Sequence, residues 1–130
     1  MSNKKKQSIF LKPYFRFKDK RGSINGIFNN FNIQEANLII SKPKTSRGKH
    51  YHKKTVELLH MIKGEMLLYF ADKKKPDKIL KKIKVKEGQT VKIMPNQFHW
   101  SYNEKKTIMM NFLTKKFNKK KPVINLEQNS

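Results

Sequence analysis

The chain has 130 residues, enough for one domain with its own core. It contains no cysteine, which excludes disulfides and thiolate metal ligands. No apolar run approaches the roughly 18 residues of a membrane span. The charged N-terminal residues also lack the apolar stretch of a signal peptide. We therefore expect a cytoplasmic protein with no membrane contact.

The formal net charge of +22 raises the question of a nucleic-acid partner. Only three of the 31 basic residues are arginine (Arg16, Arg21 and Arg47), and the lysines are spread along the whole chain. No nucleic-acid-binding motif accompanies them. The composition therefore favours a solvated lysine surface, without a nucleic-acid partner, whose positive field would attract an anionic substrate.

The first third of the chain predicts short strands and turns. Residues 1–18 form a basic leader rich in aromatic side chains, and Pro13 argues against a helix there. The leader's apolar residues suit either one mouth of a barrel or a neighbouring subunit. After a turn at residues 19–22, strands are predicted at 24–31, with a bend, and at 36–41.

The rest of the chain continues the β pattern. Residues 57–63 and 66–70 predict a hairpin around a turn at 64–65, and a charged loop follows at 71–78. Further strands are predicted at 79–85, 90–93 and 107–113, before a lysine-rich polar tail at 115–130. Short strands without helical periodicity predict an all-β sandwich or barrel over residues 19–114.

Two histidines form the centre of the candidate site. On an extended strand His50 and His52 project from one face, because they are two residues apart. Glu57 follows on the next strand, and His99 comes from a later one. Three imidazoles and a carboxylate are ligand types used by zinc, manganese, iron and nickel, so these four residues are the predicted metal ligands.

The spacing of these residues resembles the first cupin motif. His50 and His52 are followed by four residues, Glu57, six residues and Gly64, which completes that motif. The resemblance implies a single-domain cupin jelly-roll barrel with its ligands converging on an internal pocket. Alternation along the strands directs two nearby side chains away from that pocket, Tyr51 and His60.

The second cupin motif is matched in part. Gly88, His99 and Asn103 fall at its positions, while Met94 and Asn96 stand where proline and glycine are usual. Asparagine tolerates the left-handed backbone conformation that glycine would serve, so Asn96 is expected to adopt it.

Longer segments resemble the cupins that act on nucleotide sugars. These segments are Asp19-Lys-Arg-Gly22, Arg47-Gly-Lys-His-Tyr-His52 and Glu57-Leu-Leu-His-Met-Ile-Lys-Gly-Glu65. The group includes dTDP-4-dehydrorhamnose 3,5-epimerases, dTDP-6-deoxyhexose 3,4-ketoisomerases and the C-terminal cupin of capsular-polysaccharide reductases. The resemblance implies a nucleotide-sugar substrate, no organic cofactor and a homodimer.

The resemblance also implies roles for individual residues. His50 corresponds to the base that removes a proton next to a keto group, and His52 to its partner in proton shuttling. Arg47 corresponds to an arginine that meets the substrate, plausibly at its diphosphate, and Arg21 to one near the nucleotide. Where the epimerases have a tyrosine acid this chain has Phe117.

Two departures from the resemblance bear on the chemistry. Without the family tyrosine, Tyr102 or Tyr69 would have to supply a hydroxyl; we assign Tyr102 a catalytic role and Tyr69 a substrate-binding role. The ketoisomerases have glutamine and the epimerases lysine in place of Glu57, and both work without a metal. Glu57 is similar instead to the metal-binding cupins, including the capsular reductase domain, which holds zinc.

Three functions are therefore carried forward. The first is an epimerase or isomerase of a nucleotide-linked keto-deoxysugar for surface polysaccharide, with His50 as base. The second is a metal-dependent cupin of other chemistry, such as a dioxygenase or a sugar-phosphate isomerase. The third is a non-catalytic module that binds sugar nucleotides.

Overall fold

Every regular element that the structure describes is a β-strand. The structure is a computed structural model that describes residues 9–116 and the backbone of residues 127–128. The strands are β1 (Phe10–Leu11), β2 (Phe15–Asp19), β3 (Gly22–Gly26), β4 (Glu35–Ser41), β5 (Thr45–His52), β6 (Glu57–Lys63), β7 (Met66–Asp72), β8 (Lys75–Val85), β9 (Thr90–Ile93), β10 (Phe98–Asn103), β11 (Thr107–Leu113) and β12 (Glu127–Gln128). The all-β prediction is confirmed.

Ten of these strands form two five-stranded sheets. The first sheet has the order β1-β9-β6-β11-β4 and the second the order β12-β5-β10-β7-β8. All pairs are antiparallel except β12 with β5. Strands adjacent in sequence often lie in different sheets, as the jelly roll predicted from the cupin resemblance requires.

The core lies between the inner faces of the two sheets. In β6, Leu59 and Met61 point inward, whereas Leu58 and His60 point to the outer face. The central cluster consists of Leu59, Met61, Met66, Leu68, Phe70, Val85, Val91, Ile93 and Met109. This apolar cluster fills one end of the barrel interior, and polar side chains occupy the other end. Across residues 9–116 and 127–128, the chain has no helix long and apolar enough to cross a membrane.

Strands β2 and β3 form a separate hairpin that pairs with neither large sheet. Its side chains are largely exposed, including the apolar Phe15, Phe17 and Ile24. Residues 1–8, 117–126 and 129–130 lie outside the described residues. They include Phe117, which stands where the epimerases have a tyrosine acid. The proposed division into leader, barrel and tail therefore stays a prediction.

The predicted hairpin of residues 57–63 and 66–70 is wrong. Strand β6 pairs with β9 and β11, whereas β7 pairs with β8 and β10 in the other sheet. Gly64 turns the chain between the sheets at φ +92°, and a Cβ there would lie 2.8 Å from the carbonyl oxygen of Lys106. The turn signal was therefore correct, but it marks a corner of the barrel.

Two further boundaries differ from the prediction. Residues 71–78 are mostly strand, because β7 continues to Asp72 and β8 begins at Lys75. Strand β8 lies at the edge of its sheet, where Pro76 is tolerated because its missing N–H is not needed for pairing. The strand predicted at 24–31 ends at Gly26, and beyond it Asn30 has φ +65°, a left-handed conformation incompatible with a continuing strand.

Candidate active site

Strands from both sheets bring the four predicted ligands together. His50 and His52 come from β5, His99 from the paired β10, and Glu57 from β6 across the barrel. The ring centroid of His50 lies 5.0 Å from that of His52 and 4.8 Å from that of His99. Ligand atoms of His50, His52 and Glu57 all lie within 4.8 Å of one another. They line a cavity of about 420 Å³.

A β-bulge in β5 places Arg47 and His50 on the same face. Their three-residue separation would put them on opposite faces of a regular strand. Opposite β10, however, Arg47 pairs with Ser101 and Gly48 with Trp100, whereas His50 pairs with His99, so Lys49 is the extra residue. Gly48 and Lys49 have φ +103° and +68°, and together they turn both functional side chains into the cavity.

The turn at Asn96 precedes β10 and holds the start of this strand, which carries His99. Asn96 has φ +69°, which confirms that it takes the conformation expected of glycine in the second cupin motif. Its backbone N–H donates to the carbonyl of His52 over 2.6 Å. The turn thereby ties the end of β5 to the start of β10, where His52 and His99 must stay aligned.

The carboxylate of Glu57 lies between two imidazoles. Its Oε1 is 3.4 Å from Nε2 of His52 and 3.4 Å from Nε2 of His99. Burial by itself raises the pKa of Glu57, but the contacts with His52 and His99 outweigh it and hold that pKa well below the usual range. Glu57 is therefore ionised inside the barrel.

The imidazole rings of His99 and His50 complete the cluster. Nδ1 of His99 lies 2.9 Å from the carbonyl oxygen of Gln97, which can only accept, so Nδ1 carries a proton and Nε2 is the nitrogen that faces Glu57. Burial first, and then the neighbouring His99, lower the pKa of His50 to about 3. His50 is half-buried and neutral, and its ring lines the cavity.

Arg47 is anchored at the rim of the cavity. Its Nε donates to the hydroxyl of Ser41 over 2.7 Å, and its Nη2 donates to the carbonyl of Ile40 over 3.3 Å. A guanidinium has five N–H groups, so the remaining donors of this exposed side chain are left for an anion.

The structure does not bring the two predicted tyrosines to the cavity. Because His99 points inward, Tyr102 three residues later points outward, where its hydroxyl donates to Glu104 over 2.8 Å. Tyr69 lies on the same outer face and stacks on Trp100 at 5.1 Å. These positions correct the expectation that either hydroxyl faces the substrate.

Arg21 is likewise not among the residues that line the histidine cavity. It lies in the turn of the exposed β2–β3 hairpin, and its Nη2 pairs with Asp19 at 2.6 Å. Tyr51 and His60 are absent from the lining as predicted: Lys73 lies over the ring of Tyr51, and Nδ1 of His60 bonds to Thr90 over 2.8 Å.

Sequence reasoning missed the polar wall opposite the histidines. Asn111 donates from Nδ2 to Oε2 of Glu57 over 3.0 Å, and Asn37 and Glu35 continue this wall on β4. The available signal was an asparagine inside the apolar run of residues 107–113, at an inward position two residues from Met109 and Leu113.

The donor set fits a divalent transition metal. Nδ1 and Nε2 of His52 and Oε1 of Glu57 are buried without a hydrogen-bond partner, which is costly for polar atoms in a protein interior. A cation among these atoms would offset that cost, and imidazole with carboxylate is a ligand set that zinc accepts. His50, His52 and Glu57 could hold it, with His99 beside them.

The jelly-roll barrel with His50, His52, Glu57 and His99 around an internal cavity is the arrangement that the cupin resemblance implies. The sequence also matches the family described as "Polysaccharide biosynthesis C-terminal domain" over residues 17–123. The chain belongs to this family. None of the curated protein sequences is significantly similar to it.

Solved structures of nucleotide-sugar enzymes share the fold. A double mutant of the QdtA 3,4-ketoisomerase from Thermoanaerobacterium thermosaccharolyticum, in complex with TDP, has a TM-score of 0.71 and 21% identity over 89% of this chain and 86% of that one. The dTDP-4-dehydrorhamnose 3,5-epimerase from Sulfolobus tokodaii has a TM-score of 0.66 and 21% identity over 88% and 81%. The capsular polysaccharide assembling protein CapF from Staphylococcus aureus has a TM-score of 0.60 and 20% identity over 83% of this chain but 32% of its own. The resemblance to nucleotide-sugar cupins is thereby confirmed at the level of the fold.

Proposed function

We propose that the protein is an epimerase or isomerase of a nucleotide-linked keto-deoxysugar used for surface polysaccharide. The observation that carries this proposal is the position of the half-buried His50 in the same cavity as Arg47. The family to which the chain belongs and the activities of the fold relatives support the substrate class.

The proposed reaction begins with proton transfer. The lone pair of His50 accepts the proton from the carbon next to the keto group, and the electrons of that C–H bond move into an enolate whose charge rests on oxygen. In an isomerisation, the hydroxyl proton on that carbon moves to the former keto oxygen, and the carbon-bound proton returns to the former keto carbon. In an epimerisation, the proton returns to the opposite face of the carbon from which it was taken. His52 is the proposed partner that holds the proton between the two steps.

Arg47 has the complementary role of binding substrate. The bonds to Ser41 and Ile40 hold its guanidinium at the rim, so its remaining N–H groups suit the oxygens of a diphosphate. Binding energy gained there would hold the sugar against His50 without contributing to the bond changes themselves.

The test is proton exchange in heavy water with a dTDP-4-keto-6-deoxyhexose. The wild-type protein should incorporate deuterium next to the keto group, and His50→Ala should reduce the rate by about 10²–10⁴-fold, the usual contribution of general acid–base catalysis. His60→Ala is the matched control, because His60 lies on the outer face of the barrel and should leave the rate unchanged. No exchange with dTDP-, UDP- or GDP-linked keto sugars would overturn the proposal, and tight binding without exchange would indicate a binding module.

A metal-dependent cupin is the second candidate, favoured by the buried unpartnered atoms of His52 and Glu57. A bound zinc, manganese, iron or nickel ion would act as a Lewis acid toward a substrate oxygen. Protein purified without chelator should then contain close to one transition metal per chain by elemental analysis. A protein that stays metal-free after exposure to all four metals would exclude this candidate, and oxygen consumption or activity on a simple sugar phosphate would favour it over the first.

The two candidates make opposite predictions about His50. A neutral imidazole has one lone pair, so it cannot bind a metal and accept a proton at the same time. If His50 is the base, added zinc that engages it should suppress the exchange reaction. If the metal is required, chelation should abolish activity and zinc should restore it.

We also propose that the protein assembles as a two-fold homodimer. The hairpin exposes Phe15, Phe17 and Ile24, and the edge strand β4 exposes Leu38 and Ile40. Exposed apolar patches of this kind favour association. Sedimentation should give a dimer at micromolar concentration, and Phe17→Lys or Leu38→Lys should shift it toward monomer. A wild-type monomer at high micromolar concentration would contradict this proposal.

A further inference from the structure

A chain of side-chain hydrogen bonds runs from Glu57 across the inner face of the first sheet to the edge strand. Nδ2 of Asn111 lies 3.0 Å from Oε2 of Glu57, and Oδ1 of Asn111 lies 3.0 Å from Nδ2 of Asn37. The same Nδ2 of Asn37 lies 3.0 Å from Oε2 of Glu35. Asn111 and Asn37 are directly opposite each other in the pairing of β11 with β4, which brings their amides into register.

The carboxylate of Glu57 fixes the direction of each bond in this chain. An ionised carboxylate can only accept, so Asn111 must turn its NH₂ toward Glu57 and its carbonyl oxygen toward Asn37. Asn37 must then donate, and its NH₂ group supplies one hydrogen to Asn111 and one to Glu35. Flipping either amide would set acceptor against acceptor, so the network has a single consistent arrangement.

This arrangement decides which oxygen of Glu57 faces the histidines. With Oε2 engaged by Asn111, Oε1 is the oxygen left at 3.4 Å from Nε2 of both His52 and His99. We infer that Asn111 is a positioning residue that holds Glu57 with Oε1 aimed at these two nitrogens, and that Asn37 and Glu35 hold Asn111. The inference rests on the proposed function only in taking Glu57 and its histidines as the functional cluster, and it applies whether a proton or a divalent cation lies among them.

The decisive measurement is nitrogen-15 NMR of the histidine side chains in chelator-treated protein. Asn111→Leu keeps the size of the side chain but cannot donate, so Glu57 should rotate and the Nε2 chemical shifts of His52 and His99 should change. Met110→Leu is the matched control, because Met110 is next in the same strand but points to the outer face beside His60. If Asn111→Leu does not fold, Asn111→Ala removes the same donor with a smaller side chain.

A second measurement tests the same inference through metal affinity. Competition with a chromophoric chelator should show Zn²⁺ binding about 10–100-fold weaker in Asn111→Leu, as is usual when a group that orients a ligand is lost. The control variant should bind Zn²⁺ as the wild type does. Unchanged Nε2 shifts overturn the inference, as does unchanged affinity in a protein that binds zinc. Altered shifts in a protein that exchanges no keto sugar would leave the inference standing and reject the proposed function.

Discussion

Substitution of Gly48 by alanine tests the bulge that organises the site. Gly48 has φ +103°, and a Cβ there would lie 2.9 Å from Cα of Trp100 and 3.0 Å from the carbonyl oxygen of His99. Both neighbours are backbone atoms of β10, so they cannot move aside as a side chain would. Backbone strain of about 1–3 kcal/mol and overpacking of about 1–3 kcal/mol predict a total loss of about 2–6 kcal/mol.

Gly88→Ala provides the control for the strain contribution alone. Gly88 has a similar φ of +85°, but no heavy atom lies within 4 Å of its Cβ position. Its loss should be about 1–2 kcal/mol, the ordinary cost of a left-handed alanine. Equilibrium urea unfolding measures both losses, with an unchanged m-value as the check on two-state behaviour. If the two variants lose the same stability, close packing of Gly48 against β10 is refuted.

Two further substitutions test side-chain hydrogen bonds of Asn103 and Ser41. Asn103→Ala should lower the free energy of urea unfolding by about 2–4 kcal/mol, because the buried Nδ2 of Asn103 donates to the carbonyls of both Lys42 and Lys105. A loss below about 1 kcal/mol would show that water replaces the amide in the variant. Ser41→Ala should weaken dTDP binding in calorimetry by about 3–10-fold, since the substitution removes the acceptor for Nε of Arg47 and loosens that side chain. An unchanged dissociation constant would argue against a diphosphate role for Arg47.

The sequence was most informative where short spacing decides geometry. The two-residue period of a strand was sufficient to put His50 and His52 on one face, and the same rule predicted that Tyr51 and His60 face away. Applied consistently from His99, it would also have directed Tyr102 outward. The catalytic role expected of Tyr102 followed from the missing family tyrosine, which carries no information on where the side chain of Tyr102 points.

Other features depend on contacts that local sequence does not encode. Alternation alone would separate Arg47 from His50, and only the pairing of β5 with β10 reveals the extra residue that unites them. A glycine turn such as Gly64 looks the same whether it closes a hairpin or leads the chain into the opposite sheet. The contact between Asn111 and Glu57 joins residues on separate strands, so its partner could not be read from the chain.

The composition of strand β8 explains part of the high positive charge. Five of its eleven residues are lysine, and it forms an unpaired border of the second sheet. Repulsion between like-charged borders, together with Pro76, opposes pairing of this strand with the same strand of another molecule. Strand β4, an edge strand of the first sheet, carries the exposed Leu38 and Ile40 instead. Of these two edge strands, β8 repels its own copy and β4 does not, so self-association through β4 is favoured over pairing through β8.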